Sequence, residues 1–332
     1  MFQGLFAQAV DEVMANILLH HFLWYRRQPP ARGPQLHECP GLYSGDLASF
    51  YSPHPVPIDL EVGRRFFRDV PAAAVWDGSF ASETTTRWSE NDRVRYRHWL
   101  STAPDTGITV VGVDGIVQIG TRWFRRLAGV LNARGIDVLT MDSPFNYRRT
   151  PTGYRPGQLI TLGNLGHQLA VARQGVLDLW KLIISLQAQG RRVGLVGVSY
   201  GGWLTLLTSL LVERLEFAIA LVPPVDIVAM LKRGGGTVVR SIRRGIGYDR
   251  LDLTELERVA RPIVPSRWPN RLDGSRIMLH AARFDRLVPC GGITELARLW
   301  NAQLTMHEAA HYSLAVSAQI FPQVADQVCS LL

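Results

Sequence analysis

The sequence predicts an α/β fold, with a mostly parallel central sheet, helices on both faces, a helical cap insertion and an N-terminal helical arm. Two patterns carry the prediction. Short apolar runs such as GITVVGV (107–113), IDVLTMDSP (136–144), RVGLVGVS (192–199) and FAIALVPP (217–224) have the composition of strands buried on both faces. Segments whose apolar residues step by three and four alternate with them. Such alternation builds right-handed crossovers, and hence parallel strands with helices above and below.

The first element is a helix. Phe2, Leu5, Phe6, Val10, Val13, Met14, Ile17 and Leu18 recur at helical spacing. No basic region precedes it, and Asp11 and Glu12 lie inside it, which argues against a secretory signal. Its longest uncharged stretch, Val13 to Tyr25, is short for a membrane span and holds a His pair. The helix is expected to pack on the domain or on a second copy of the chain. The alternative is peripheral membrane contact, with Trp24, Tyr25, Arg26 and Arg27 at the interface. The Pro-, Gly- and His-rich stretch 28–57 reads as an extended arm. Residues 1–75 are therefore assigned to helix and arm, and 76–332 to the main domain.

Within that domain, Val94 to Leu100 alternates like a strand after the turn SENDR. The run 107–113 is the next strand. TRWFRRLAGVLNARG (121–135) follows as a helix stopped by Gly135, and 136–144 as a strand broken by Pro144. Leu165, Leu169, Ala172, Val176, Leu179, Ile183 and Leu186 mark a long helix ending at Gly190. Strand 192–199, helix WLTLLTSLLVERL (203–215) and strand 217–224 come next. Beyond residues 225–275 lie strands RIMLHAARFD (276–285) and QLTMHEAA (303–310), separated by helix GITELARLWNA (292–302). A last helix is expected from about Ser313.

Composition narrows the function classes. At 47% hydrophobic and 19% charged residues, the chain is that of a folded globular protein. The net charge of +8 raises nucleic acid as a partner. However, Lys181 and Lys232 are the only lysines among 36 basic residues, and the arginines scatter along the whole length without a binding motif. No nucleic-acid partner is expected. Cys39, Cys290 and Cys329 lie far apart and form neither a disulfide framework nor a zinc spacing. Reduced thiols, a cytoplasmic location and no metal follow as expectations.

In open parallel sheets, ligands bind beyond the carboxyl ends of the strands. There the sequence places GLVGVSYGGWL (194–204), with Ser199 in the pattern G-x-S-x-G between Gly197 and Gly201. A chain of this length gives about 0.1 chance matches to that pattern, so its position between strand and helix matters more than the match. A nucleophile elbow needs a strand, a sharp turn and a helix in that order. The alternative is a serine capping the helix start.

With these residues the chain resembles the α/β-hydrolase superfamily of serine hydrolases, over about residues 80–325. The resemblance implies Ser, then an acid, then His. Asp285, before RLVP, and His311, in AAHYSLA, stand in that order. It implies Ser199 as nucleophile, His311 as its proton acceptor and Asp285 as the group orienting the imidazole. His280 and His307 fall within strands and read as core residues. Asp226, in LVPPVDI, is the second candidate acid. For the oxyanion hole the resemblance implies the backbone N–H of Tyr200 with that of Ile116 or Val117. Many members carry His-Gly after the first central strand, where this chain has Asp114-Gly115. Asp114 is expected to point away or to pair with an arginine. Within the superfamily the likeness is nearest to proteins related to α/β-hydrolase domain-containing protein 18, through SPFNYRRTPTG (143–153), GNLGHQLAVARQGVLDLW (163–180) and ARFD.

Arg148 and Arg149 follow a strand end, where they could hold a substrate carboxylate or phosphate, or anchor their loop to Asp142. Residues 225–275 read as a cap made basic by Lys232, Arg233, Arg240, Arg243 and Arg244, or as a solvated basic face. The expected function is cofactor-free hydrolysis of an ester, or of a thioester or amide, in a small-molecule acyl substrate. The alternatives are a non-catalytic binding or scaffold protein of the same fold, and an acyltransferase.

Overall fold

The computed structural model describes residues 2–23, 45–60, 65–66, 73–117 and 120–332. The expected interfacial segment Trp24–Arg27 and Cys39 lie outside the described residues. In chain order the first elements are α1 (Phe2–Leu23), α2 (Leu47–Phe50), β1 (Arg65–Phe66), β2 (Ala73–Ala81) and β3 (Arg93–Ser101). Next come β4 (Ile108–Val113), α3 (Arg122–Leu131), β5 (Asp137–Met141), α4 (Gln158–Thr161), α5 (Leu165–Ala188), β6 (Arg192–Val198), α6 (Tyr200–Ser209) and β7 (Leu215–Leu221). Three helices follow, α7 (Ile227–Arg233), α8 (Gly236–Ile246) and α9 (Leu253–Ala260). The chain closes with β8 (Ile277–Ala282), α10 (Cys290–Trp300), β9 (Gln303–His307), α11 (His311–Val316) and α12 (Ile320–Ser330).

The strands form one nine-stranded sheet in the order β1-β2-β3-β5-β4-β6-β7-β8-β9. From β5 to β9 every pairing is parallel, whereas β1, β2 and β3 add an antiparallel edge. The chain passes from β4 outward to β5 and returns to β6 on the other side of β4. The carboxyl ends of β4 and β6 are thus the point where strand order reverses, the position where open α/β sheets bind ligands.

Every residue of β4, β5 and β8 is buried, which explains why these strands are largely apolar and show no alternation. One face of the sheet is covered by α5, α6 and α10, through residues such as Leu169, Leu204 and Ile293. The other is covered by α3 and α12, through Phe124, Leu131, Phe321 and Val328. The expected cap corresponds to α7, α8 and α9, between β7 and β8.

Three expectations change. The C-terminal helix is two helices, because Ser317 is extended (φ −61°, ψ 128°) and Pro322, lacking an N–H, fits only in the first turn of a new helix. The arm is not simply extended. Phe50 and Tyr51 are fully buried, Arg173 donates to the Phe50 carbonyl, and the Ile58 N–H donates to Ser185 Oγ on α5. The apolar periodicity of α1 also misidentifies its inner face. Gly4, Ala7, Asp11 and Ala15 are buried, whereas Leu5, Phe6, Val13 and Ile17 are more than half exposed. Small residues let the helix lie close to the body, and at Gly4 a Cβ would come within 2.9 Å of the Phe284 ring.

Candidate active site

Ser199 follows the last residue of β6 and precedes the first of α6, at φ 53° and ψ −116°. A side chain at positive φ is strained and persists only where its surroundings hold it. Here the Ser199 N–H donates to the Leu221 carbonyl at 2.7 Å, and its carbonyl accepts from the Trp203 N–H at 3.0 Å. The flanking glycines permit the turn. A Cβ on Gly197 would lie 2.3 Å from the Gly201 carbonyl oxygen, and one on Gly201 would lie 2.0 Å from that of Val113. The second contact presses the elbow against the end of β4.

Above the elbow the structure brings together the three residues expected from chain order. Ser199 Oγ–H donates to His311 Nε2 at 2.9 Å, and His311 Nδ1–H donates to Asp285 Oδ2 at 2.7 Å. The other oxygen of Asp285 accepts the backbone N–H groups of Leu287 and Val288, at 2.9 and 2.8 Å. The RLV turn thereby fixes the carboxylate. Burial disfavours the charged imidazolium of His311, but the charges of Asp285 and Asp11 and the hydrogen bond to Asp285 outweigh it. The net effect holds His311 above the usual histidine range. Asp11 escaped sequence reasoning. It accepts the backbone N–H of His311 at 2.6 Å and of Tyr312 at 3.0 Å. The only trace of it in the sequence was the pair Asp11-Glu12 inside a largely apolar helix.

The remaining candidates separate. Residues after β4 pass over the elbow, so that a Cβ on Gly115 would lie 3.8 Å from Ser199 Cβ. Among the described residues, no acceptor takes the N–H of Tyr200, Ile116 or Val117. Asp114 has no arginine partner within the described residues. It accepts the Gly115 N–H at 2.8 Å, so that donor is already engaged. Burial, with Asp142 nearby, pushes the Asp114 carboxyl up to about 6 against that hydrogen bond. Asp226, the second candidate acid, instead caps α7 by accepting the Ala229 N–H at 2.8 Å. His280 and His307 stack and share a 2.9 Å hydrogen bond, with Gln327 on the far nitrogen of His280.

Arg148 and Arg149 serve the scaffold. Arg149 is fully buried, pairs with Asp178 at 2.8 Å and donates to the carbonyls of Asn91 and Asp142. Arg148 bridges Asp142 and Asp77, at 2.7 and 2.9 Å. Neither lines the space around Ser199. That space is a small cavity of about 90 Å³, roofed by α7, α8 and α9. Its walls are largely apolar, with Ile116, Trp203, Met230, Ile242, Leu256 and Leu287 among them, and among the described residues no charged side chain lines it. The cap's basic residues are partly consumed internally, Lys232 by Glu257 and Arg243 by the Leu231 carbonyl.

No protein-family model matches the chain, and no curated protein matches it. Solved structures do. An acetyl xylan esterase from Paenibacillus sp. R4 superposes with a TM-score of 0.62 at 14% identity, over 91% of this chain and 98% of that one. Acetyl xylan esterase 1 from Thermoanaerobacterium sp. JW/SL YS485 gives 0.60 at 16% identity, over 89% and 98%. The acylaminoacyl peptidase of Pyrococcus horikoshii gives 0.53 at 12% identity, over 82% of this chain and 41% of that one. At such identities the likeness is one of fold, and the fold is that of the α/β-hydrolases.

Two stability predictions follow from the buried charges. Arg149→Met leaves Asp178 buried without its partner and is expected to cost about 3–5 kcal/mol in chemical denaturation, with most of it regained in Arg149→Met/Asp178→Leu. Asp114 binds its proton more tightly in the folded chain, so its share of stability is full below its ordinary value of 3.8 and lost as pH rises through about 6. Asp114→Asn should therefore melt higher than the parent at pH 8, by about 1 kcal/mol or more of stability, with the gap closing towards pH 4.

Proposed function

We propose that the chain is a serine hydrolase of the α/β-hydrolase superfamily that cleaves a carboxylic ester with an apolar acyl group. The observation that carries this reading is the unbroken hydrogen-bonded chain from Ser199 through His311 to Asp285, with Ser199 lining an apolar cavity. In the proposed reaction, His311 Nε2 takes the Ser199 proton as Oγ attacks the ester carbonyl. Asp285 holds the imidazole in the tautomer that leaves Nε2 free and stabilises the imidazolium. The negative oxygen meets the N–H of Tyr200 and that of Ile116 or Val117, none of which has another acceptor among the described residues. His311 then protonates the leaving alcohol, and water, deprotonated by the same nitrogen, releases the acid.

The esterases and the peptidase of like fold support this class of chemistry without fixing the substrate. The narrower likeness to proteins related to α/β-hydrolase domain-containing protein 18 finds no support in the comparisons, and nothing in the reading leans on it. Acyl transfer to an acceptor other than water would use the same residues, and product analysis separates the two. A non-catalytic role draws on Asp114, whose carboxylate occupies the Gly115 N–H beside the elbow. The outward apolar stripe of α1, Leu5, Phe6, Val13 and Ile17, supports the expected contact with a membrane surface or a second copy.

The test is a series of p-nitrophenyl esters from acetyl to decanoyl. Each methylene that enters the cavity contributes up to about 0.8 kcal/mol, so kcat/KM should climb along the series until the cavity is filled. Ser199→Ala and His311→Ala should lower kcat by about 10⁴-fold or more. Because His311 must be unprotonated to act and is held above the usual histidine range, kcat/KM should rise with pH along a limb centred above about 6.5. A folded protein that turns over none of these esters contradicts the proposal.

A further inference from the structure

His311 opens α11, and the first N–H groups of any helix have no partner within it. Here two of them are satisfied from a distant part of the chain. Asp11 Oδ2 accepts the His311 N–H at 2.6 Å and Oδ1 accepts that of Tyr312 at 3.0 Å, across 300 and 301 residues. Asp11 is buried, at 7% exposure. A local capping side chain would stand at residue 310, but that position is Ala310. Asp11 takes its place at the positive end of the α11 dipole.

The helix that delivers Asp11 is held at several points. Gly4 lies against Phe284, the residue before Asp285. On the same helix, Thr237 Oγ1 of the cap helix α8 donates to Glu12 at 2.8 Å and to Asn16 at 3.1 Å. One helix therefore touches the loop of the acid, the loop of the histidine and the cap. Gly4, Asp11 and Ala15 share its inner face, since i, i+7 and i+11 fall together on a helix.

We propose that Asp11 is a positioning residue for His311: supplied by the N-terminal helix, it fixes the backbone of the histidine and adds a second negative charge beside the imidazole. This rests on the hydrolase reading of Ser199 and deepens it. The groups facing His311 are Asp285 from the loop after β8, Ser199 from the elbow, Tyr312 from its own helix, and Asp11 from α1. Glu12 and Arg286 line the crevice that Asp11 and Tyr312 share. In this set the charge of Asp11 acts with that of Asp285 to favour the imidazolium that forms during proton transfer. Desolvation raises Asp11 itself, partly offset by the two N–H groups and by His311.

The experiment uses the full chain with ¹⁵N-labelled histidine, the His311 signal being assigned by its loss in His311→Gln. In Asp11→Asn, an isosteric change that keeps one acceptor oxygen, the pKa of His311 should fall by about 0.5 to 1. The acid limb of fluorophosphonate labelling at Ser199 should move down by the same amount, and labelling at the plateau should slow about tenfold. Asn16→Ala loosens α1 from the cap without touching His311 and should leave the titration in place. Asp11→Ser, a second neutral variant, makes the same comparison if Asp11→Asn does not fold. An unmoved His311 titration in a folded neutral variant overturns the proposal, as does an equal shift in Asn16→Ala. The titration needs no turnover, so a protein inert towards the probe would sink the hydrolase reading and still leave Asp11 decided.

Discussion

A serine held at φ 53° and ψ −116° is costly, about 1–3 kcal/mol, and the centre of this protein is organised to hold one. The turn closes only because two glycines let the backbone of β6 and α6 come within van der Waals reach of each other and of β4. From that constraint the rest follows in order. The close approach to Val113 holds the loop after β4 against the elbow, with Gly115 next to Ser199 and Ile116 lining the same cavity. The strain turns the hydroxyl away from a capping role. Ser199 makes no side-chain cap on α6, and its Oγ hydrogen-bonds to His311 instead.

Charge is the second organising element. His311 is buried, and burial alone would keep it neutral. Two carboxylates from opposite ends of the chain reverse that balance, one on the ring nitrogen and one on the backbone amide. Burial of all three residues strengthens both interactions, because little solvent is left to screen them. Asp114 belongs to the same setting with the opposite consequence. Among the described residues it has no cation to balance it, so burial favours its neutral form, and it consumes one backbone donor beside the elbow. Arg148 and Arg149 resolve the equivalent problem for Asp142, Asp77 and Asp178.

Local signals made much of this legible. Strands buried on both faces leave continuous apolar runs, so β4 to β8 could be placed within a few residues. The glycine pattern between strand and helix located Ser199, and the residue order of the α/β-hydrolases that the chain resembles led to Asp285 and His311, which the fold brings together with it. What could not be read depends on long-range packing. The inner face of α1 is built from Gly4, Ala7, Asp11 and Ala15, which periodicity assigns to solvent, because small residues and a hydrogen-bonded carboxylate do not register as hydrophobic. The antiparallel strand β2, AAVWDGSFA, carries too little alternation to stand out, and its place is set by pairing with β3. The partners of Arg149, Asn91, Asp142 and Asp178, come from three separate stretches of chain, so no local pattern could have told an anchor from a ligand-binding arginine.

The central claim is that Ser199 is an activated nucleophile. The most direct measurement is intact-protein and peptide mass spectrometry after incubation with a fluorophosphonate. An activated Ser199 gives one adduct, on Ser199, formed in the parent chain and in Asp226→Asn, and absent in His311→Ala. A folded chain that acquires no adduct, or one that labels at Ser199 equally well without His311, would contradict it.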